Sequence, residues 1–184
     1  MRKEVLVKEA MKYNPVIIQP HSSVRIAAQA MKRHNIGNVL IVEDDQLIGI
    51  LTESDILKKV VAENKNPETT TVEQIMNTPV LVIDPYISIE EALQTMAKSN
   101  VRRLPVVENK KLVGIITQRD ISRISPIYHE IVKEWSEITS TDETYRETRI
   151  FSGKCEDCGV LSPQLKYNNG RLLCDDCIDA LKYE

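Results

Sequence analysis

The residues with the clearest chemical potential are four cysteines near the end of the chain. Two Cys-x-x-Cys pairs, Cys155 with Cys158 and Cys174 with Cys177, are separated by 15 residues that include the turn sequence Asn-Asn-Gly at 168–170. Each pair forms a tight turn that directs two sulfurs at one ion, and a hairpin between them brings the turns together. The spacing predicts a tetrahedral metal site whose four positions are all filled by protein. Such a site is structural, because it has no open position for a catalytic water.

Two metals satisfy this arrangement, and they lead to different functions. Four thiolates in tetrahedral geometry suit Zn²⁺ and also iron. Zinc would stabilise the fold of segment 151–184, because this segment has few apolar side chains with which to form a core of its own. Iron would make the same segment an electron carrier. A third function, nucleic-acid binding, ranks last because this segment carries four Lys or Arg against six Asp or Glu.

A second pattern of chemically useful residues occurs twice. The heptapeptide GILTESD at 49–55 is echoed by GIITQRD at 114–120, 65 positions later. Thr and Asp at this spacing form a capping box at the start of a helix, which requires no ligand. The alternative is a binding site, since a strand-to-helix turn offers backbone N–H groups, a positive helix end, a hydroxyl and a carboxylate. These groups suit a ribose phosphate, with the Asp accepting hydrogen bonds from ribose hydroxyls.

The 65-residue offset extends through most of the chain and predicts a tandem repeat. It carries Met11 onto Met76 and Ser23 onto Ser88. In each copy a short strand precedes a helix that begins after a serine N-cap, then two apolar strands join across a tight turn, and a second helix follows. The predicted order is therefore β-α-β-β-α, twice.

Composition and charge exclude several classes of protein. The chain has 184 residues, 42% hydrophobic and 28% charged, with a net charge of −3. The first residues are interrupted by charge too early for a signal peptide, and no apolar run approaches the ~18 residues of a membrane span. We therefore expect a cytoplasmic protein with no membrane contact. No catalytic constellation is visible, so we expect no enzymatic activity.

We divide the chain into four parts. Residues 1–62 form the first repeat and 63–124 the second, 125–150 form a connecting helix and linker, and 151–184 form the cysteine domain. The connecting helix has an apolar stripe. We expect this stripe either to pack against its own domain or to form a dimer interface.

With these patterns laid out, residues 7–124 resemble a tandem CBS-domain pair, the Bateman module, and 151–184 resemble a zinc ribbon or rubredoxin-like domain. The fold class is then α/β (α+β), with pseudo-two-fold CBS repeats and a small metal-bound β ribbon. Ile178, where a rubredoxin-like domain has glycine after Cys177, weakens the iron alternative. The resemblance implies clefts between the paired domains that bind AMP, ADP, ATP or S-adenosylmethionine. It also implies a regulatory homodimer whose ribbon contacts an unidentified downstream protein.

The resemblance assigns roles to individual residues by position. Two carboxylates would hold ribose hydroxyls, two threonines would contact ribose or phosphate, and two apolar residues would border adenine: Asp55 and Asp120, Thr52 and Thr117, Ile17 and Val80.

Basic residues before the hairpin commonly neutralise phosphate in CBS domains, and here the two copies differ. The second copy has Arg102 and Arg103, where the first has Gly37 and Asn38. Two guanidinium groups can chelate a phosphate, whereas a glycine and an amide cannot. The sequence therefore predicts two unequal clefts, with Arg119 as a third phosphate partner in the second.

Overall fold

The computed structural model describes residues 4–124 and 149–181. These residues belong to two compact units. The first-repeat unit contains 15–80 and 151–181, and the second-repeat unit contains 4–14, 81–124 and 149–150. The predicted connecting helix, in 125–148, lies outside the described residues. Within the described ranges, no helix is both long and apolar enough to cross a membrane.

The elements of the two repeats follow the predicted order in both copies. In chain order they are α1 (Val7–Ala10), β1 (Lys12–Tyr13), β2 (Ile17–Ile18), α2 (Val24–His34), β3 (Asn38–Glu43), β4 (Gln46–Thr52), α3 (Glu53–Ile56) with a π-helical continuation (Leu57–Val61), a 3₁₀ turn (Val72–Gln74), β5 (Val80–Val82), α4 (Ile89–Lys98), β6 (Arg103–Glu108), β7 (Lys111–Thr117) and α5 (Gln118–Ile124). The mixed α/β fold with a doubled β-α-β-β-α plan is confirmed.

The first-repeat unit is built on a sheet of order β2-β3-β4. Strand β2 runs parallel to β3, and β3 pairs with β4 as an antiparallel hairpin. The hairpin turn uses Asp44 and Asp45, both at positive φ, as tight two-residue turns require. Helix α2 begins where Ser23 Oγ accepts a hydrogen bond from the Ile26 N–H, and it ends at Asn35 in the left-handed region.

The second-repeat unit follows the same rules. Its hairpin β6-β7 turns through Asn109 and Lys110, again at positive φ. Ser88 Oγ caps α4 by accepting the Glu91 N–H at 3.1 Å. The apolar face of α4 is fully buried against β6 and β7. Short strand β1 adds to the free edge of β7, which gives the order β1-β7-β6.

Each repeat is therefore covered by the segment that precedes the other repeat in sequence. We call 4–14 the first leading segment and 71–79 the second leading segment. The first pairs with β7 of the second repeat, and the second forms a bridge with β4 of the first repeat. A Cβ placed on Gly49 would lie 2.3 Å from Met76 Sδ, and one on Gly114 would lie 2.7 Å from Met11 Sδ. The glycine of the repeated heptapeptide thus admits a methionine of the leading segment.

The cysteine module, residues 151–181, belongs to the first-repeat unit. Its sheet includes β8 (Ile150–Lys154), β9 (Leu161–Asn168) and β10 (Arg171–Cys174), followed by α6 (Asp175–Ala180). The predicted turn is confirmed, with Asn169 and Gly170 at positive φ. Ser152 is fully buried, and its hydroxyl donates to the Leu47 carbonyl of β4. Leu161 packs against the core of the first repeat.

We expect the two heptapeptide glycines to respond differently to alanine. Gly114→Ala should lower the free energy of unfolding by about 2 kcal/mol, because the new Cβ would lie 2.9 Å from the Lys12 carbonyl oxygen, which belongs to the backbone. Gly49→Ala should cost less, since its neighbours belong to the flexible Met76 side chain. Urea denaturation measures both losses.

Double mutants identify the cause of each loss. Met76→Ala should remove most of the cost of Gly49→Ala, whereas Met11→Ala should remove only part of the cost of Gly114→Ala. Equal losses of unfolding free energy at the two glycines would contradict this explanation. So would losses that do not depend on whether the methionine is present.

Candidate functional site

The four cysteines are brought together as the spacing predicts. All four sulfurs lie within 4.8 Å of one another, and Cys158 Sγ is 3.8 Å from Cys174 Sγ. A tetrahedral ion with Zn–S bonds of about 2.3 Å places its sulfurs about 3.8 Å apart. Cys155 and Cys174 are buried, whereas Cys158 is exposed. The donor set fits a four-thiolate metal centre near the surface.

The electrostatics of the cluster favour the binding of a cation. Burial raises the pKa of the Cys155 thiol, but backbone N–H donors of Cys158, Cys174 and Asp157 outweigh burial and lower the pKa to about 6. The neighbouring sulfurs of Cys158 and Cys174 raise the pKa of Cys177 instead. One thiolate forms easily, and each further thiolate is opposed by negative charge already present. A divalent cation removes that opposition.

Three acidic residues of the two cysteine turns, Glu156, Asp157 and Asp175, have partners within the module. The Glu156 carboxylate accepts the Leu172 N–H at 2.9 Å, which ties the first turn to β10. The ion pair of Arg171 with Asp157 adds to this link, and Lys166 of β9 pairs with Asp175 of the second turn, each at 2.9 Å. The excess of acidic residues in this segment is therefore partly neutralised by the module's own cations.

We call residues 117–120 the second corner. The Thr117 N–H and hydroxyl donate to Asp120 Oδ2 at 3.0 and 2.5 Å, and the Asp120 N–H donates to Thr117 Oγ1 at 3.3 Å. The capping box predicted from sequence is therefore present. The Asp120 side chain is only 6% exposed, and Lys12 Nζ of the first leading segment lies 3.6 Å from its Oδ1.

The predicted arginines lie at three places around this corner: Arg103 begins β6, Arg102 directly precedes it, and Arg119 is in α5. Arg103 is paired with Thr117 across β6 and β7, and the Gln118 N–H donates to the Arg102 carbonyl at 3.0 Å. Arg102 and Arg119 are exposed, and Arg103 is half-buried. The fold thus places three guanidinium-bearing residues within or directly beside the second corner.

We call residues 52–55 the first corner, and its capping box has the same geometry. The Thr52 N–H and hydroxyl donate to Asp55 Oδ2 at 2.9 and 2.5 Å. Asn77 Nδ2 donates to the same oxygen at 2.9 Å, and Lys59 Nζ lies 3.5 Å from Oδ1. Burial raises the pKa of Asp55, but the hydrogen bonds from Thr52 and Asn77 outweigh it and the net pKa is lowered.

The first corner differs from the second in charge. A Cβ placed on Gly37 would lie 3.0 Å from the Glu53 carboxylate, so Glu53 lies over the backbone of Gly37. The Glu53 N–H donates to the Gly37 carbonyl at 3.2 Å, as Gln118 does to Arg102 in the second copy. Glu53 therefore places a carboxylate beside the first corner. The equivalent residues at the second corner are a neutral amide, Gln118, and Arg102 in place of Gly37.

The two residues predicted to border adenine are placed differently. Ile17 in β2 is 50% exposed, whereas Val80 at the start of β5 is 5% exposed. The 65-residue offset carries Ile17 onto Val82, which is also 5% exposed. Of the predicted pair, Ile17 presents an open apolar surface in its unit and Val80 does not.

Sequence reasoning missed three residues at the corners: Lys12, Lys59 and Asn77. The offset aligns Lys12 with Asn77, each directly after the methionine of a leading segment. That alignment was a usable signal. The contact was hidden because each residue reaches the carboxylate of the other copy.

The chain has close relatives among archaeal proteins. An uncharacterised protein of Methanocaldococcus jannaschii is 39% identical over 188 residues, covering 97% of this chain and 95% of the relative. One of Methanopyrus kandleri is 33% identical over 185 residues, covering 97% and 93%.

Solved structures share the fold. A CBS domain pair in complex with 5′-methylthioadenosine and S-adenosyl-L-methionine is 32% identical, with a TM-score of 0.62 over 68% of this chain and 99% of that chain. A hexameric CBS-CP12 protein from bloom-forming cyanobacteria is 32% identical, with a TM-score of 0.63 over 70% and 77%. A CBS domain protein of Thermoplasma acidophilum is 20% identical, with a TM-score of 0.66 over 92% of both chains, and this likeness concerns the fold alone.

The CBS domain profile matches residues 7–62 and 72–126, which together exceed half of the chain. Because both copies of the repeat match, the chain belongs to the CBS-domain family and carries two tandem copies of the domain.

Proposed function

We propose that this protein is a regulatory sensor of adenosyl ligands, without catalytic activity of its own, and that its cysteine module is a zinc ribbon that serves as an output or docking surface. The observation that carries the proposal is the repeated corner, in which a carboxylate, buried at Asp120 and half-buried at Asp55, is held in a capping box beside cationic residues. A related CBS pair is solved in complex with two adenosyl compounds, which supports the same ligand class here.

The second corner suits a phosphorylated ligand. Asp120 Oδ2 accepts two hydrogen bonds from Thr117, whereas the Lys12 ammonium is 3.6 Å from Oδ1, beyond ordinary hydrogen-bond length. An ionised carboxylate has about four acceptor positions, so Oδ1 can accept ribose hydroxyls if Lys12 shifts. Arg102 and Arg103 would then meet the phosphate as charge-assisted donors.

The first corner suits an adenosyl ligand with less negative charge. Glu53 would repel a phosphate, and neither Gly37 nor Asn38 offers a cation to replace the arginines of the second copy. Lys59 is engaged by the Ile75 carbonyl and by Asn77 Oδ1, both at 2.8 Å. A sulfonium or neutral adenosyl compound would meet no such repulsion, and Ile17 would offer its exposed side chain to the adenine.

The metal proposed for the cysteine module is Zn²⁺. Its role would be to hold the two turns around a core to which cysteines contribute directly, with Cys155 and Cys174 packed beside Leu165 and Leu173. Iron remains the alternative, and it would make the module a redox centre, because the same sulfur geometry serves both metals. Nucleic-acid binding through the module ranks third, since two of its cations, Lys166 and Arg171, form ion pairs with its own acids.

Metal analysis decides between the first two functions. We expect one zinc per chain and no visible absorption, because Zn²⁺ has a filled d shell. Cys155→Ser should abolish stoichiometric zinc binding, whereas Ser162→Ala, in the same module, should not. A coloured protein that contains iron and bleaches on reduction would favour electron transfer instead.

Calorimetry with AMP and adenosine tests the second corner. Replacing Arg102 and Arg103 by alanine should weaken AMP binding about tenfold or more, because each lost charge-assisted hydrogen bond is worth about 1.5–3 kcal/mol. Adenosine binding should change little. Arg123→Ala, an exposed charge in the same unit, is the matched control. Absence of binding by AMP, ATP and S-adenosylmethionine would leave the repeats a scaffold and refute the sensor function.

We also expect a homodimer, on the family resemblance stated above. Light scattering coupled to size exclusion should give about twice the 21.0 kDa chain mass, at concentrations from micromolar upward. A monomer at all concentrations would remove this part of the proposal.

A further inference from the structure

We propose that the metal-loaded cysteine module holds Asn77 in place and that Asn77 in turn positions Asp55, so that metal binding and ligand binding to the first-repeat unit are coupled. The ligand part rests on the proposed function of the first corner. The contacts that carry the coupling all lie within one compact unit.

The second leading segment is held by three sets of contacts from two consecutive residues, Met76 and Asn77. The Met76 side chain lies on Gly49, and the Asn77 backbone exchanges hydrogen bonds with Ile50, at 2.8 Å from its N–H and 3.1 Å to its carbonyl. The Asn77 side chain donates to Asp55 and accepts from Lys59. This short stretch therefore fixes both the β4 edge and the carboxylate of the first corner.

The same stretch contacts the cysteine module on its other side. A Cβ placed on Gly153 would lie 3.2 Å from both Pro79 Cβ and Thr78 Oγ1, so β8 and the leading segment are in close contact. Ser152 adds a buried hydrogen bond to Leu47, the residue two before Gly49. Asn77 is thus the direct chain neighbour of Thr78, whose hydroxyl lies against the module.

Strand β8, which contacts the second leading segment, leads directly to the metal ligands. Gly153 pairs with Ser162 and Lys154 with Leu161, and Cys155 follows directly. The Cys155 N–H donates to the Val160 carbonyl at 2.9 Å and closes the first cysteine turn. Two of the five buried residues of this core are cysteines. A module of this size loses its fold without metal, as small metal-stapled domains do, and β8 would then leave Thr78 and Pro79.

The second repeat supplies an internal control. The offset aligns Asn77 with Lys12, whose ammonium faces Asp120, and aligns Thr78 and Pro79 with Tyr13 and Asn14. Among its described residues, the second-repeat unit contains no counterpart of the cysteine module. Instead, Tyr13 and Asn14 line an open cavity of about 330 Å³. Metal loss should therefore loosen the first corner and leave the second unchanged.

Hydrogen exchange on the full chain tests the coupling without any ligand. Zinc-stripped protein should exchange about tenfold faster than zinc-loaded protein in peptides that cover 75–79 and the β4 residue Ile50. Peptides that cover β1 and its partner Ile115 should exchange at the same rate in both states. Unchanged exchange at 75–79, or equal acceleration at both leading segments, would overturn the proposal.

A variant separates docking from metal loss. Gly153→Val should push against Pro79 and accelerate exchange at 75–79 while zinc stays bound. Lys154→Val places the same side chain at the neighbouring exposed position and should have no effect. If Gly153→Val retains zinc and leaves exchange at 75–79 unaltered, the contact does not transmit the coupling.

Titration with S-adenosylmethionine in an Asp120→Asn background completes the test. Removal of zinc should weaken binding at the remaining first corner about tenfold. A change of this size corresponds to the loss of one hydrogen bond to a charged group. Asn77→Ala should weaken binding equally in both metal states, because it removes the transmitting residue. No binding in either state would refute the ligand site, while the exchange experiment would still decide the coupling.

Discussion

The close approach of a methionine to a glycine is the constraint on which both repeats depend. In each copy the central glycine of the last strand has no side chain, and a methionine from the opposite leading segment occupies the space. The next residue, Asn77 or Lys12, is thereby brought to the carboxylate of the corner. The glycine of the repeated heptapeptide is thus a packing requirement, and its effect on the corner is indirect.

The capping box and the proposed ligand site use the same carboxylate without conflict. One oxygen of each Asp is committed to its own threonine, which fixes the side chain at the start of the helix. The other oxygen faces an ammonium group at 3.5 or 3.6 Å. The box therefore orients the carboxylate, and its second oxygen is the acceptor of the proposed ribose site. The two interpretations of the heptapeptide, structural and functional, describe different oxygens of one group.

Local signals in the sequence predicted the local structure. Serine N-caps, hairpin turns with positive φ and the cysteine spacing each depend on residues close in the chain, and each was confirmed. The contacts that assemble the units left no such signal. Ser152 and Leu47 are 105 residues apart, and the exchange of leading segments pairs each copy with residues outside its own repeat. No periodicity within a window of 10 to 20 residues records such a contact.

The exchange of leading segments also determines how the protein can be divided. A fragment that ends at residue 62, the boundary suggested by the repeat, would keep a strand that belongs to the other half. It would also expose Gly49 and the edge of β4 where Met76 and Asn77 now lie. Excised repeats would therefore offer unpaired strand edges to one another, and their tendency would be to aggregate or to reassemble by swapping segments. The compact units of this chain follow the pairing of its strands, and they cannot be derived from the order of the repeats in the sequence.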